Sequence, residues 1–237
     1  MINMYYTYVT TYARNQMNLF ILSLNPEFTA KYMMDKHIAK IILEAVQMLC
    51  TTKRLLSTLS ELETIDPCVY KIAHKNHPVT IWCRASHANF VWTLDLIDAM
   101  HTEWKYRYGH ALSKQHKSYI VAQYLRNNIP DSARFEKIQQ MGIITPFALA
   151  MPDECKVRIG SNDSAYSSSR KRPLLPTGTS NGENSFDAVA SYRKYYLSEQ
   201  KRRIAKWGKM RGMPAWYAKG LAHCSKHRQQ IKFKIIS

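Results

Sequence analysis

One stretch constrains what this chain can fold into more than any other: Asn25-Pro26-Glu27 opens a run that reaches Leu56 with no further proline and no glycine. Asn is a favoured N-cap, proline suits the first helical position, and an acid suits the positive end of the helix dipole. The residues from Glu27 to Leu56 are good helix formers, so the pattern predicts one long helix. His77-Pro78 opens a second, predicted to run to Tyr108 and to end at Gly109. Its apolar positions Ile81, Trp82, Phe90, Val91, Leu94, Ile97 and Met100 recur close to the helical period. A third helix is predicted from Ser113 to Asn127, a short one from Ser132 to Met141, and another turn from Thr145 to Met151. The apolar run Leu19 to Leu24 predicts an extended segment packed into the core.

Residues 158–186 change character. They are rich in Ser, Gly, Asn and Pro around Arg170-Lys171-Arg172, and such a stretch buries too little apolar surface to offset its ordering entropy. A flexible surface loop is expected there. A final helix is predicted from Ser185 to Trp207, followed by Gly212-Met213-Pro214-Ala215-Trp216-Tyr217, a turn presenting two aromatics. The expected fold is mainly α: a compact helical domain built on two long helices, with a basic C-terminal helix and a flexible loop. The expected division is an N-terminal extension (1–17), a helical core (18–157), the loop (158–186), and a basic helix with an aromatic tail packing on the core (187–237).

Composition excludes several functions. The 237 residues include only 8 glycines, and neither GxGxxG nor GxxxxGK[ST] occurs, so the common nucleotide-binding folds are not expected. The best apolar run, Ile38 to Leu49, is interrupted by Lys40, Glu44 and Gln47, too polar to span a membrane. The cysteines, 50, 68, 83, 155 and 224, are five in number, far apart and form no CxxC pair. That spacing fits neither a zinc ribbon nor a disulfide framework. It points to a reducing compartment, cytoplasm or nucleus, of a cellular, viral or phage protein. No cofactor and no metal is expected, His223, Cys224 and His227 being an incidental grouping in a basic tail.

Charge points to a partner. The net charge is +17. Residues 188–237 hold 13 Lys and Arg against the single acid Glu199, a net of +12, whereas residues 1–187 hold 21 against 16. Tyr192, Tyr195, Tyr196, Trp207, Trp216 and Tyr217 are interleaved with that charge, which suits contact with nucleic acid, double-stranded DNA above all. An anionic membrane surface or an acidic protein fits less well. The expected phosphate-contacting cations are Arg193, Lys201, Arg202, Arg203, Lys206 and Arg211, with Trp216 and Tyr217 as stacking groups. The oligomeric state is left open.

Two further places carry chemistry. In the first long helix, His37, Lys40, Glu44 and Gln47 share one stripe on an otherwise apolar surface. They form either a solvated stripe with a Lys40–Glu44 pair or the floor of a cleft, with Glu44 as acid, base or electrostatic stabiliser. Lys75-Asn76-His77-Pro78 precedes the second helix, whose first amides make a natural phosphate cradle, with Arg84 a turn or two inside. Equally, Asn76 or His77 simply caps that helix.

These residues carry a resemblance. Asn18-Leu19-Phe20-Ile21-Leu22-Ser23-Leu24-Asn25-Pro26-Glu27-Phe28, Asp35-Lys36-His37-Ile38 with Glu44 nine residues after Asp35, Asn76-His77-Pro78 and Pro214-Ala215-Trp216-Tyr217 resemble segments of the pyrimidine-dimer DNA glycosylase family, the endonuclease V type of phages and bacteria. The likeness covers about residues 18–108 and 190–220. It implies an all-α protein that binds damaged duplex DNA, bends it and flips a base. In that family a free N-terminal amine attacks C1′ to form an imine, and a Glu, here Glu44, assists the glycosylase and lyase steps. Two departures stand out. Arginines of the family motif fall here on Leu43 and Gln47, and this chain continues 17 residues upstream of Asn18, where the family nucleophile would sit. Either Met17 is the true start, or another amine such as Lys40 replaces the nucleophile, or the chemistry differs or is absent. The expected function is therefore a base-excision or base-modifying enzyme on DNA, a glycosylase with AP-lyase activity. The alternative is a non-catalytic nucleic-acid-binding protein in which the Glu44 stripe is structural.

Overall fold

The computed structural model describes residues 17–136, 142–159 and 186–236, with side chains up to Ser225. It is mainly helical. Residues 1–16 of the expected 1–17 extension, most of the expected loop and the end of the expected 132–141 helix lie outside the described residues.

Each long run folds as two helices in place of one. The first gives α1 (Pro26–Tyr32) and α2 (Asp35–Leu56). Asn25 caps α1 as its sequence predicts, its side chain accepting from the Phe28 amide at 3.0 Å. Met33 and Met34 then take extended backbone angles. The cause is tertiary: the buried Arg107 guanidinium donates to the carbonyls of Ala30, Lys31 and Met33 at 3.3, 3.0 and 2.7 Å. It serves carbonyls that lack a helical partner at a helix end. A five-residue helix α3 (Leu59–Glu63) follows, held by a capping box between Thr58 and Glu61.

The second run gives α4 (Pro78–Ala85) and α5 (His87–Tyr108). Ser86 is extended and caps α5 by accepting from the Asn89 amide at 3.2 Å, while Asn89 Nδ2 donates to the Trp82 carbonyl at 2.7 Å. A local Ser-x-x-Asn exchange thus replaces one turn of helix. Gly109 closes α5 at φ 60°, its amide returning to the carbonyls of Lys105 and Tyr106. α6 (Lys117–Asn127) starts four residues later than predicted, because the His116 ring accepts from the Ser118 amide and caps it.

α2 and α5, 22 residues each, are about 33 Å long and pack against one another, with α1, α4 and α6 around them. α5 buries Phe90, Leu94, Leu96, Ile97 and Met100 around its circumference, as a central helix must. Met17 to Leu22 runs unhelical and buried beside α2, the extended segment expected of 19–24.

The Thr145–Met151 helix does not form. That stretch is extended and its backbone is used by distant side chains: Trp82 Nε1 donates to Thr145 O at 3.2 Å, Asn89 Oδ1 accepts from the Thr145 amide at 2.9 Å, and Asn18 Nδ2 donates to Ala150 O at 2.6 Å. The predicted 185–207 helix is also broken, into α7 (Ala188–Tyr196) and α8 (Glu199–Arg202), with Ser198 capping α8 through the Lys201 amide. The segment 212–217 is no exposed turn: Pro214 leads into α9 (Ala215–Ile236). α9 approaches Leu197 so closely at Gly220 that a Cβ there would lie 2.3 Å from Leu197 Cδ1.

Candidate active site

α2 turns His37, Lys40, Glu44 and Gln47 towards the Met17–Leu22 segment and the end of α7. Glu44 is buried and held from two sides. Its Oε2 accepts from the backbone amide of Asn18 at 3.0 Å, and its Oε1 lies 3.2 Å from Lys40 Nζ. The Lys40 side chain is 67% exposed against 9% for Glu44, so the carboxylate meets solvent along the lysine. The 18–24 segment cannot slide, because Asn18 is anchored through its side chain as well. The Tyr192 hydroxyl lies 2.8 Å from Ala148 O and 3.2 Å from Asn18 Oδ1, its one proton shared between them.

Lys201 completes the cluster. The kink at Leu197–Ser198 swings α8 inward and lays its ammonium over the rings of Phe20 and Tyr195, at 4.8 and 4.9 Å from their centroids. Among the described residues that ammonium has no hydrogen bond and no ion pair. Burial pulls the amine down to about 8, with Glu44 opposing and Lys40 assisting. The sequence expectation of a solvated phosphate contact is thus corrected: half-buried, Lys201 belongs to the Glu44 cluster.

His37 faces the core. Its ring stacks on Phe20 at 4.3 Å and its Nδ1 is hydrogen-bonded to the Tyr196 hydroxyl at 2.6 Å. Burial first, then the positive charges of Lys201, Lys40 and Lys36, hold its pKa well below the ordinary histidine value. Burial likewise pushes the Tyr196 phenol well above its ordinary value. A buried imidazole hydrogen-bonded to a phenol props Phe20 from behind; it is not presented to a ligand.

No family model matches this chain, and neither a curated protein nor a solved structure matches it significantly. The site therefore rests on its own geometry.

Several expected nucleic-acid contacts are occupied within the fold. Arg193 is buried between the rings of Tyr32 and Trp216, 5.7 and 5.0 Å from their centroids, with Nε donating to Leu22 O at 3.1 Å. Arg211 forks onto both oxygens of Glu103 at 2.8 Å and covers Tyr106. Tyr217 is 2% exposed and packs on Trp207. Trp216, half-buried, carries Arg193 on its face. At the start of α4 the His77 ring accepts from the Val79 amide at 3.3 Å and caps the helix. Arg84 donates to Glu136 and to the Lys75 carbonyl. Of the cradle, Lys75 and Asn76 are exposed. In the basic section Arg203 and Lys206 are exposed, Arg203 pairing with Glu199, and Arg202 is half-buried. Trp82 is a core residue against Trp92 and Phe147.

Among the described residues no helix is long and apolar enough to cross a membrane, and no group of three His, Cys, Asp or Glu side chains is placed to hold a metal. The five cysteines are free.

Proposed function

We propose that this protein binds DNA and acts on it as a base-excision enzyme, a glycosylase with a lyase step, using Glu44 as its acid–base group. One observation carries the reading. The nitrogen of Asn18 and the Glu44 carboxylate are 3.0 Å apart, bringing together the two positions that the resembling family uses for its nucleophile and its acid. The surroundings support it. A buried carboxylate beside Lys40 and Lys201 offers negative charge for a developing oxocarbenium or a departing proton, and positive charge for the phosphates on either side. Phe20 and Tyr195 supply aromatic surface at the same place.

The same bond also favours a second reading. Satisfying a buried amide is a structural task, and a Glu44 that does only this belongs to a non-catalytic nucleic-acid-binding protein.

Glu44→Gln separates the two. A glutamine oxygen still accepts the Asn18 amide, so the fold and duplex affinity stay near wild type. If Glu44 is the acid–base group, base release or incision of a lesion-bearing duplex falls by about 100-fold or more. If activity per folded molecule is unchanged, the enzymatic reading is wrong.

A further inference from the structure

The Asn18 nitrogen beside Glu44 is a peptide amide in this chain, with its lone pair delocalised, and cannot be a nucleophile. An imine-forming enzyme needs a primary amine at the same place. The exposed Lys40 is already engaged with Glu44 at 3.2 Å. Lys201 differs. Its Nζ lies on the faces of Phe20 and Tyr195, and among the described residues it lacks any hydrogen-bonded or ion-pair partner. Its backbone is fixed by the Ser198 cap and the preceding kink. Phe20 beneath it is clamped on its other contacts by His37, Tyr192 and Tyr196.

Resting on the reading of Glu44 given above, we infer that Lys201 is the amine nucleophile of this site, and that its substrate is the C1′ carbon of a base-damaged or abasic nucleotide. Its burial agrees: removal from water holds the amine near 8 against the opposing charge of Glu44, with Lys40 adding a smaller push downward, so a useful fraction is neutral at ordinary pH. Whether the environment also favours a bound phosphate, the chemistry that distinguishes Lys201 from an arginine is covalent.

At an abasic site the steps balance as follows. The Lys201 lone pair adds to the C1′ aldehyde, and the carbinolamine takes a proton from solvent and loses water to give a protonated imine. The Glu44 carboxylate removes a C2′ proton, the C3′–O bond breaks, and the 3′ phosphate leaves with the electron pair. Water then hydrolyses the imine and returns the free amine. With a base still attached, attack at C1′ breaks the glycosidic bond, and the departing base carries away that electron pair and takes a proton from solvent.

The experiment is borohydride trapping of the full chain on a duplex carrying one abasic site, with the modified peptide identified by mass spectrometry. The expected result is a reduced adduct on Lys201, formed at a rate that rises with pH to a midpoint near 8. Lys201→Arg keeps the charge over Phe20 and Tyr195 but cannot form the imine. It should lose trapping by at least about 100-fold with duplex affinity within about twofold, and Lys201→Met should lose trapping as well. An adduct on Lys40 or on any other amine overturns the assignment and leaves the Glu44 reading standing. So does Glu44-dependent base release with no trapped adduct. No adduct and no base release or incision on any duplex overturns both.

Discussion

α2 carries two buried carboxylates, on opposite sides of the helix, that the fold treats in opposite ways. At the start of the helix, Asp35 belongs to a balanced network. Arg107 donates to Asp35 Oδ1 at 3.0 Å and to Glu103 Oε1 at 2.7 Å, Arg211 covers Glu103 from the other side, and Gly208 N donates to Asp35 Oδ2 at 2.7 Å. With the three α1 carbonyls, all five N–H groups of Arg107 are used. Two acids meet two guanidiniums, and no donor of Arg107 is left over. Nine residues on, Glu44 is one acid facing Lys40 and Lys201, and among the described residues Lys201 has no hydrogen bond and no ion pair. The first arrangement locks α1, α2, α5 and the 206–211 strand of chain together. The second leaves positive charge and an amine available to a ligand. Burial of an ionised group does not separate structure from site; the balance of its partners does.

Breaking the balanced side should have the largest effect. Arg107→Met leaves Asp35 without its guanidinium and the carbonyls of Lys31 and Met33 without the donor that serves them. Removing one partner of a buried network of this kind costs about 3–5 kcal/mol. Urea unfolding should show that loss, while activity per folded molecule at Glu44 is unchanged. A loss under about 1 kcal/mol would mean that the network is no lock and that the contrast with Glu44 has no energetic content.

The two sides should also titrate in separate windows. His37, beside Glu44, is held neutral when folded, its pKa well below the usual value because of burial and the nearby lysines. The unfolded chain takes up that proton below about pH 6.5 and the folded chain does not, so stability falls as pH drops from about 6.5, by at most about 1.4 kcal/mol per unit. His101, brought to about 4 chiefly by burial, adds to the same window. Glu103 behaves otherwise. Burial works against its charge but is outweighed by hydrogen bonds from Arg211 and Arg107, and its pKa ends below the usual 4.5. Its contribution is present above that value and is lost only as pH falls further. Unfolding free energies from pH 7 down to 4 should slope downward from about 6.5. His37→Gln should flatten the upper part, and Glu103→Gln only the part below about 4.5. A wild-type chain equally stable at pH 7 and 5 would remove this distinction.

The helical class, the α1 cap, the Pro78 start and the Gly109 stop were legible because each is a local signal. The breaks at Met33–Met34, Ser86 and Leu197–Ser198 were not, since the first depends on a group far away in sequence and the other two on a serine whose alternative is an ordinary helical position. Arg107 sits 74 residues from the Met33 carbonyl it serves, and no window around Met33 contains it. Glu44 and Lys40 could be paired from their spacing alone. Lys201 was counted with Arg202 and Arg203 as one basic run, because an unbroken helix hides the kink that turns it inward. Arg193 and Arg211 were misjudged for a related reason: charge is visible in a sequence, but the aromatic sandwich or carboxylate that consumes it is not.

The smallest effect tests that last point. Arg193 and Arg203 stand ten residues apart in the same basic section, yet one is a saturated cation and the other is exposed. Arg193→Lys keeps the charge but loses the planar stack on Trp216 and Tyr32 and the Nε bond to Leu22 O. It should cost about 1–2 kcal/mol of stability and leave the salt dependence of duplex binding unchanged. Arg203→Gln with Lys206→Gln should do the reverse. Both side chains are exposed, and the Arg203–Glu199 pair is a surface i,i+4 contact of little energetic weight. If each meets one phosphate, the slope of log K against log salt should shallow by about 2, with the unfolding midpoint nearly fixed. Should Arg193→Lys flatten the slope instead, the sandwich opens on DNA, and a cation saturated in the free protein is released to bind.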